Sequence, residues 1–296
     1  MLEGKVAVIT GASSGIGASL SRLLANEKVT VVMGARRKSN LESLAREIRA
    51  AGGVALPIQC DVTIREDAEQ LVHDAVEAYG RIDLLINNAG RGHLSSVEDT
   101  TDAMIENMFA VNVYPLWYTV RAALPYMKEQ GSGHLITVAS MAGKIGYPYN
   151  SAYVAAKHAA VGFMHALRQE LAETGIHASV VCPAGVLTEW AMVTEGGSML
   201  PLFSESGPII KRIATERGLS LPKIEGVIHP DVVAQKILDC IRHPVAEVYT
   251  HAGSKEFVEL ASRDREAAER QQLAVVLGER EVYGRLTAKT PRRQER

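Results

Sequence analysis

Thr10-Gly11-Ala12-Ser13-Ser14-Gly15-Ile16-Gly17 follows an apolar run at residues 6–9 and opens a helical pattern that continues through Leu24. A glycine-rich turn between a strand and a helix lets backbone amides approach a diphosphate, and the helix dipole favours the negative charge. Gly11 would permit the tight turn, Gly15 the approach of the diphosphate, and Gly17 the packing of the helix on the sheet. The glycine spacing differs from G-x-G-x-x-G, and an ordinary turn is the alternative. The strand–turn–helix context favours a dinucleotide site, and its expected contacts are Gly11, Ser13, Ser14, Gly15, Ile16 and Gly17.

Strand-like and helical patterns alternate outward from this turn. The further strand-like runs lie at residues 29–33, 54–58, 82–86, 134–138, 177–181 and 247–249, and the further helical stretches near 40–50, 65–79, 102–130, 151–174 and 229–242. Runs that are apolar throughout suit strands covered on both faces, and this alternation implies parallel strands with right-handed crossovers. The sequence therefore predicts an α/β fold: a Rossmann-like, doubly wound parallel sheet with helices on both faces, in one catalytic domain over residues 1–252.

Composition excludes several classes of protein. The chain has 296 residues, of which 47% are hydrophobic and 22% charged, so disorder is not expected and a large core is. The formal net charge of −2 favours neither nucleic acid nor an anionic membrane as a partner. Cys60, Cys182 and Cys240 are scattered, which is typical of small buried hydrophobes in a reducing compartment rather than of disulfides or a metal site. No transmembrane run or leader is recognisable, so we expect a soluble cytoplasmic protein.

Two regions depart from the alternation. Residues 186–228 form a long insertion that contains Trp190, Met192 and Phe203, and a loop of this length predicts a cover over a binding site or disorder. Residues 253–296 form a charged extension, in which 255–277 can be helical and 284–296 is polar and basic. We expect the end of this extension to be mobile, with a role in oligomer contacts or pocket closure as the alternative.

The end of the second predicted strand, Gly34-Ala35-Arg36-Arg37, indicates which dinucleotide binds. A site for NAD usually holds the adenosine 2'-hydroxyl with an acidic residue about 20 positions on, and this stretch has no carboxylate. A guanidinium group instead matches the oxygens of a 2'-phosphate. Arg36 and Arg37 therefore favour NADP(H) over NAD(H), with a solvated basic turn as the alternative.

Tyr153 and Lys157 lie one helical turn apart, so their side chains project from one helix face. Ser140 ends the fifth predicted strand, and ligands of open α/β sheets bind at the carboxyl ends of strands. The glycine turn, Asp61, the turn 87–90 and the turn 183–185 follow other strands at the same edge. Five loops at one edge of the sheet thus carry residues suited to binding or catalysis, and chance seldom produces an arrangement of this kind.

Together these motifs resemble those of the classical short-chain dehydrogenases/reductases. The matching residues are Thr10-Gly11-x-x-x-Gly15-Ile16-Gly17, Asn87-Asn88-Ala89-Gly90, Asn112 within Val111-Asn112-Val113, Ser140 and Tyr153-x-x-x-Lys157. The resemblance spans about residues 3–250. It implies that Tyr153 is the general acid/base, that Lys157 activates it and binds the nicotinamide ribose, that Ser140 hydrogen-bonds the substrate, and that Asn112 organises a water-mediated proton relay. A turn cap for Ser140 and an ordinary helix amide for Asn112 are the alternatives.

The resemblance also implies the remaining cofactor contacts. Asp61 and Val62 would lie beside the adenine, Asn88, Ala89 and Gly90 beside the adenosine ribose, and Pro183, Val186 and Thr188 at the nicotinamide end. The family commonly has Pro-Gly-x-x-x-Thr after the sixth strand, whereas Ala184 occupies the glycine position here. The Val186 amide is still expected to contact the carboxamide.

The predicted chemistry is carbonyl reduction or its reverse. A free tyrosine has a pKa of about 10, and we expect the Lys157 ammonium and an oxidised nicotinamide to lower that of Tyr153. His93, Met141, Tyr147, Tyr149 and Trp190 are candidates for the substrate wall, with core packing as the alternative for each.

The sequence thus predicts an NAD(P)-dependent oxidoreductase of class EC 1.1.1.-, with NADP(H) preferred, that interconverts an alcohol and a ketone or aldehyde. The apolar insertion favours a medium-sized, partly hydrophobic small-molecule substrate. A catalytically silent NADP(H)-binding sensor and a scaffold protein are the alternatives. By analogy with the fold, we expect a homodimer or homotetramer formed through helices near 102–130 and 151–174, and neither nucleic acid, membrane nor metal as a partner.

Overall fold

The computed structural model describes residues 2–288, and the strands in this range match the seven predicted ones. They are β1 (Val6–Thr10), β2 (Thr30–Ala35), β3 (Ala55–Gln59), β4 (Leu84–Asn87), β5 (Gly133–Val138), β6 (Ile176–Cys182) and β7 (Glu247–Tyr249). All neighbouring strands are parallel, in the order β3-β2-β1-β4-β5-β6-β7. The strand order reverses between β1 and β4, and a crevice at the carboxyl ends is expected at that point.

Ten helices lie within residues 2–288. They are α1 (Gly15–Asn26), α2 (Lys38–Ala50), α3 (Arg65–Tyr79), α4 (Asp102–Asn112), α5 (Tyr114–Gln130), α6 (Ser151–Glu170), α7 (Leu200–Arg217), α8 (Pro230–Arg242), α9 (Ser254–Arg263) and α10 (Arg265–Ala288). Short 3-10 turns span Met141–Gly143 and Glu189–Met192. None of the described helices is long and apolar enough to cross a membrane.

The sheet is buried on both faces, as its continuous apolar strands predict. Ala7 and Ile9 of β1 belong to a core cluster shared with α1, α2 and α8. Val6 and Val8 point to the opposite face and pack with α3, α5 and α6. Complete burial of one such Val or Ile side chain stabilises the fold by roughly 1.5–3 kcal/mol. The two layers hold the strand ends rigidly, and the loops that leave them carry the candidate site.

The predicted helix over 102–130 is in fact two helices. Val113 leaves helical geometry, with φ −124° and ψ −58°, and Pro115 occupies the first turn of α5. Proline lacks the N–H that a continuous helix would need at that position, so the chain starts a new helix there. The interruption places Asn112 at the end of α4, where its side chain faces the loop after β4.

The insertion and the extension are more ordered than their sequences suggest. Residues 186–228 contain α7, and the predicted helix over 255–277 divides at Asp264 into α9 and α10. The helix α10 continues to Ala288 and packs along α7. The segment expected to be mobile, 284–296, is helical as far as Ala288, and residues 289–296 lie outside the described range. We call α7 and α10 together the helical cover.

Candidate active site

One cleft of about 570 Å³ lies at the carboxyl edge of the sheet. It brings together most of the residues that the sequence singled out: Gly11, Ser13, Ser14, Gly15, Ile16, Arg36, Arg37, Asp61, Val62, Asn88, Ala89, Gly90, Ser140, Tyr153, Lys157, Pro183, Val186, Thr188 and Trp190. Six other predicted residues lie outside its lining: Gly17, His93, Asn112, Met141, Tyr147 and Tyr149.

The glycine turn is held against the loop after β4. Gly11 has a φ of +66°, and a Cβ there would lie 2.8 Å from the Cα of Ala89. A Cβ on Gly17 would lie 2.6 Å from the Gly11 carbonyl oxygen and from Asn88 Nδ2. Asn88 Nδ2 donates to the carbonyl oxygens of Thr10 at 3.0 Å and Gly11 at 3.2 Å. Side chains would therefore break the turn, and Gly17 acts through packing rather than by lining the cleft.

The N-terminus of α1 faces the cleft with its amides available. Ser14 is the N-cap residue, but its side chain makes no capping hydrogen bond, and the first turn has no acidic residue. Gly15 has a φ of +54°, and a Cβ there would lie 2.9 Å from the Thr188 methyl carbon. The absence of a side chain at Gly15 thus lets Thr188 approach, which the glycine pattern did not predict. Unpaired amides and a helix dipole suit a phosphate group.

Arg37 joins three segments at the end of the cleft formed by the glycine turn, which we call the nucleotide end after the ligand that the sequence predicts there. Its Nη2 donates to Ser13 Oγ at 3.1 Å and to Ser14 Oγ at 2.5 Å. Its Nη1 forms an ion pair with Glu189 Oε2 at 2.7 Å. Arg36 is exposed and also lines the cleft. The sequence analysis missed Glu189, because only the folded chain brings residues 37 and 189 together.

The loop after β3 is ordered by its own side chains. Asp61 Oδ1 accepts hydrogen bonds from the amide and hydroxyl of Thr63, at 3.0 and 2.8 Å. The Asp61 amide donates to Asp67 Oδ2 at 3.0 Å. These bonds order the loop from which Asp61 and Val62 line the cleft.

Ser140, Tyr153 and Lys157 converge at the other end of the cleft, which we call the catalytic end after their predicted role. Ser140 Oγ accepts a hydrogen bond from the Ala142 amide at 3.1 Å, so Ser140 caps the 3-10 turn Met141–Gly143. This is the alternative role that the sequence analysis left open for Ser140. Lys157 Nζ donates to the Val138 carbonyl oxygen at 3.2 Å and lies 5.7 Å from the centroid of the Tyr153 ring. Tyr153 and Lys157 are almost fully buried, at 7% and 4% exposure.

Burial sets the proton affinities of this pair. It raises the pKa of Tyr153 to about 12, while the Ser140 hydroxyl acts in the opposite direction. It lowers the pKa of Lys157 to about 8. The sequence analysis expected the Lys157 ammonium and an oxidised nicotinamide together to lower the pKa of Tyr153. Desolvation of the phenolate by the protein acts in the opposite direction.

Asn112 lies behind the cleft and fixes the loop after β4. Its Nδ2 donates to the Arg91 and Met108 carbonyl oxygens at 3.0 Å each, and its Oδ1 accepts from the Arg91 amide at 3.3 Å. A Cβ on Gly90 would lie 2.9 Å from Asn112 Oδ1 and 3.3 Å from Lys157 Nζ. Asn112 and Lys157 thus reach the same glycine from two helices.

His251 orders the turn in which alanine replaces the usual glycine. Its Nδ1 accepts from the Ala184 amide at 3.2 Å, and its Nε2 lies 2.8 Å from the Gly185 carbonyl oxygen. A proton on Nε2 satisfies both contacts. Ala184 is not among the described non-glycine residues with positive φ, so its side chain causes no strain. The sequence analysis missed His251, although it follows β7 at the same sheet edge as the other site residues.

The candidates for the substrate wall separate into two groups. Trp190 lines the cleft, and its ring centroid lies 5.3 Å from that of Tyr153. Tyr149 instead stacks on Tyr283 of α10, with a centroid distance of 3.9 Å. His93 is fully buried, and burial lowers its pKa. Met141 is a core residue beneath α9.

Tyr147, the remaining candidate, packs against the apolar cluster that contains Tyr153. Burial, followed by the charges of Glu279 and Tyr153, raises the pKa of Tyr147. Its position is therefore beside the catalytic end of the cleft rather than on the wall that the cleft exposes.

The helical cover packs at the catalytic end, as the sequence analysis allowed: a cover was one prediction for the insertion, and pocket closure was the alternative for the extension. Val282 of α10 is fully buried in a cluster against which Trp190 packs. Tyr283 accepts a hydrogen bond from the Ser96 amide at 2.9 Å. Phe203 of α7 lines the cleft. The apolar residues of the insertion were the signal for this cover, whereas no pattern in the sequence favoured pocket closure over mobility for the end of the extension.

Known proteins resemble this chain in both sequence and fold. The profile of a family described as short chain dehydrogenase matches residues 5–196. Ketoacyl reductase HetN from a Nostoc species is 35% identical over 247 residues, which is 83% of this chain and 78% of HetN.

Two solved structures show the same similarity. A short chain dehydrogenase/reductase from Burkholderia phymatum, in complex with NAD, has a TM-score of 0.76 at 30% identity and covers 90% of this chain and 95% of its own. An alcohol dehydrogenase from Thermococcus sibiricus, complexed with 5-hydroxy-NADP, has a TM-score of 0.69 at 26% identity, with coverages of 84% and 96%.

Proposed function

The chain belongs to the short-chain dehydrogenases/reductases, a family of oxidoreductases, and on that premise we propose that it interconverts a ketone and an alcohol with NADP(H). The observation that carries this proposal is the convergence of Ser140, Tyr153 and Lys157 in the cleft that also contains the glycine turn. A serine hydroxyl, a tyrosine and an ammonium in one buried place suit proton transfer to a carbonyl oxygen.

The cleft fits a nicotinamide dinucleotide. The uncapped N-terminus of α1 and the bare backbone at Gly11 would hold the diphosphate, and Asp61 and Val62 would border the adenine. Pro183, Val186 and Thr188 would border the nicotinamide. When bound, the cofactor supplies the hydride donor or acceptor that no side chain can provide.

A preference for NADP(H) is supported by charge. Arg36 and Arg37 line the nucleotide end of the cleft, where a 2'-phosphate would find guanidinium donors together with Ser13 and Ser14. The two solved structures carry NAD in one case and an NADP derivative in the other, so the arginines and not the likeness support this preference.

In the reductive direction, Tyr153 donates its proton to the carbonyl oxygen, and Ser140 hydrogen-bonds the same oxygen as negative charge develops. Tyr153 is fully protonated at neutral pH because its pKa is raised. Lys157 is held by the Val138 carbonyl oxygen and places positive charge beside the phenolate that remains. Asn112 holds the loop at Arg91, beside Gly90, and would organise the water-mediated relay that reprotonates the site through Lys157.

The substrate is proposed to be a medium-sized, partly apolar ketone, because Trp190 and Phe203 border the catalytic end. The name of the Nostoc relative makes 3-oxoacyl thioesters one class to test. A cytoplasmic location and a homodimer or homotetramer remain proposals. The exposed Trp117 of α5 packs against Phe163 of α6 with tilted rings and a centroid distance of 4.5 Å, and this exposed aromatic surface supports self-association.

The test is NADPH oxidation with a panel of ketones, aldehydes and 3-oxoacyl thioesters, run with the wild type and Tyr153→Phe. Loss of the phenol should lower kcat by about 10²–10⁴-fold without weakening NADPH binding. Tyr79→Phe, in α3, is the matched control and should be fully active. Equal rates in the wild type and Tyr153→Phe would contradict the proposal, and NADPH binding with no turnover of any compound would favour the sensor.

A further inference from the structure

The chain that follows β6 passes the cleft as an extended segment whose backbone is paired on one side. The Gly185 carbonyl oxygen accepts from the Ile228 amide at 3.0 Å, and the Leu187 amide donates to the Ile228 carbonyl oxygen at 2.9 Å. Backbone groups of successive residues alternate in direction along an extended chain, so the Val186 amide points away from Ile228. This amide has no hydrogen-bond partner within residues 2–288, and Val186 lines the cleft. A donor is therefore available there for a ligand.

His251 holds the start of this segment through both of its ring nitrogens. The residue is buried, with 3% exposure. The Gly185 carbonyl oxygen lies 2.8 Å from Nε2 and can only accept, so Nε2 carries a ring proton. Nδ1 is then the acceptor for the Ala184 amide at 3.2 Å and for the Thr250 hydroxyl at 2.8 Å. One imidazole therefore bonds two consecutive residues of the segment.

The two bonds from His251 to the backbone differ in what would replace them. The Gly185 carbonyl oxygen also accepts from the Ile228 amide, so it keeps one donor without His251. The Ala184 amide has no other acceptor within residues 2–288. A half-buried amide that loses its partner is costly. Loss of the Nδ1 acceptor should therefore disturb the segment more than loss of the Nε2 donor.

The same segment contacts the loop of the catalytic serine. The Pro183 carbonyl oxygen accepts from the Met141 amide at 2.8 Å and from Ser140 Oγ at 3.4 Å. The serine that would hold the substrate oxygen and the free Val186 amide thus lie at the two ends of residues 183–186. Hydride transfer requires the reacting atoms to be aligned at roughly 3–3.5 Å, so a small shift of this segment would be felt in the reaction.

We propose that His251 is a positioning residue for the nicotinamide. By fixing residues 183–186 it places the Val186 amide to bind the carboxamide, so that one face of the ring is presented to the substrate. The inference rests on the proposed function. His251 is not part of the lining of the cleft, so it acts through the backbone that it bonds. A ring whose carboxamide is not held can turn about its bond to the ribose, and its other face then meets the substrate.

The first test measures binding and needs no turnover. Calorimetry gives the Kd of NADPH and of 2'-phospho-ADP-ribose, which lacks the nicotinamide, for the wild type and for His251→Ala, His251→Asn and His251→Gln. We expect the wild type to bind NADPH the more tightly of the two. His251→Ala should raise the Kd of NADPH about tenfold and leave that of 2'-phospho-ADP-ribose unchanged.

The two amide variants separate the roles of the ring nitrogens. Asparagine offers an oxygen near the position of Nδ1, and glutamine offers an N–H near that of Nε2. His251→Asn should restore more of the NADPH affinity than His251→Gln, because the Ala184 amide has no other acceptor. Recovery in neither variant, with both of them folded, would contradict the assigned hydrogen bonds.

His134→Ala is the matched control. His134 is also buried and lies 2.8 Å from a hydroxyl, that of Ser179, but it stands near the amino end of β5, at the edge of the sheet opposite the cleft. Its loss should lower the temperature of unfolding and leave both Kd values unchanged. An unchanged Kd of NADPH in His251→Ala, equal weakening of both ligands, or equal binding of both ligands by the wild type would overturn the inference.

The second test follows the face from which hydride leaves. A ketone is reduced with NADPH deuterated at either the 4R or the 4S position, and mass spectrometry detects deuterium in the alcohol. The wild type should transfer from one face only, whereas His251→Ala should transfer measurably from both and have a kcat lowered about tenfold. Strict transfer from one face by His251→Ala would overturn the inference. If no ketone is reduced, the binding test still decides it; if ketones are reduced and His251→Ala binds both ligands as the wild type does, it fails while the proposed function stands.

Discussion

The nucleotide end of the cleft is built mainly from backbone, whereas the catalytic end is closed by side chains from distant parts of the chain. At the nucleotide end, Gly11, Gly17 and the N-terminus of α1 form a surface whose shape follows from one short stretch of sequence. At the catalytic end, Trp190, Val282 and Tyr283 meet only because α7 and α10 fold over the sheet.

The two constructions predict different responses to mutation. A backbone surface tolerates few changes at its glycines, but it serves every member of a fold that binds the same ligand. A side-chain surface can be changed one residue at a time without disturbing the sheet. The nucleotide end should therefore carry the general chemistry, and the helical cover the choice of substrate.

Lys157→Met should produce the largest effect, because it removes the cation beside Tyr153. We expect kcat to fall about 10²-fold or more, while NADPH binding weakens less. Steady-state kinetics and NADPH fluorescence titration measure the two effects. Arg168→Met, near the end of the same helix, is the control and should keep its kcat; a fall of similar size there would mean that loss of a cation from α6 acts through the fold.

The same Lys157→Met protein should unfold at a higher temperature than the wild type at neutral pH. Burial lowers the pKa of Lys157 from 10.5 to about 8, so the unfolded chain binds the proton more tightly than the folded one. Wild-type stability should therefore rise with pH between about 8 and 10.5, by about 3 kcal/mol from this group. The variant should lack that rise. Parallel stability–pH curves for the two proteins would contradict the assigned burial of the ammonium.

Arg36→Asp combined with Arg37→Ala should come next, since it removes both guanidinium groups from the nucleotide end. We expect the Kd of NADPH to rise about 10–100-fold and that of NADH to change little. Arg46→Ala, exposed on α2, is the control. Equal weakening of both cofactors would show that the arginines hold the turn rather than a 2'-phosphate.

Val282→Ala tests the catalytic end alone. The lost methyl groups should destabilise the fold by about 1–3 kcal/mol and raise the substrate KM several-fold, with an unchanged Kd for NADPH. Val72→Ala, an equally buried position on α3, should destabilise comparably and leave KM unchanged. Thermal unfolding and kinetics on both variants make the comparison. A weaker NADPH affinity in Val282→Ala would contradict the prediction that the helical cover affects only the catalytic end of the cleft.

Glu189→Gln should have the smallest effect and act where the two ends meet. The Glu189 carboxylate pairs with Nη1 of Arg37 and so competes with a 2'-phosphate for this guanidinium. Removal of the Glu189 charge should therefore tighten NADPH binding by about two- to fivefold. The NADH affinity should stay the same. Titration at two salt concentrations checks the electrostatic origin, because added salt should reduce the gain. A looser NADPH complex would instead mean that Glu189 positions Arg37 for the phosphate.

The parts of the fold set by local pattern could be predicted from sequence. The buried strands are continuous apolar runs, and each leaves the sheet at one edge, so the positions of Ser140 and Tyr153 at one cleft followed from spacing. The break between α4 and α5 at Val113 was missed, because the helical pattern of the sequence continues across Val113 and only Pro115 signals a new helix. His251 and Glu189 could not be placed, because their contacts join segments whose relative positions depend on the complete fold. The raised pKa of Tyr153 also needed the structure, as burial is invisible in a motif.

The hydrogen bond from the Ser96 amide to Tyr283 spans 187 residues of chain. During synthesis, Ser96 and the strands around it leave the ribosome long before α10 exists. The glycine turn and its strands can therefore form while the chain is still being made. The catalytic end forms later, because the contact between Ser96 and Tyr283 closes a long loop, and long loops close slowly. A nascent chain would thus be able to bind its cofactor before it can enclose a substrate, and cofactor binding would stabilise it during that interval.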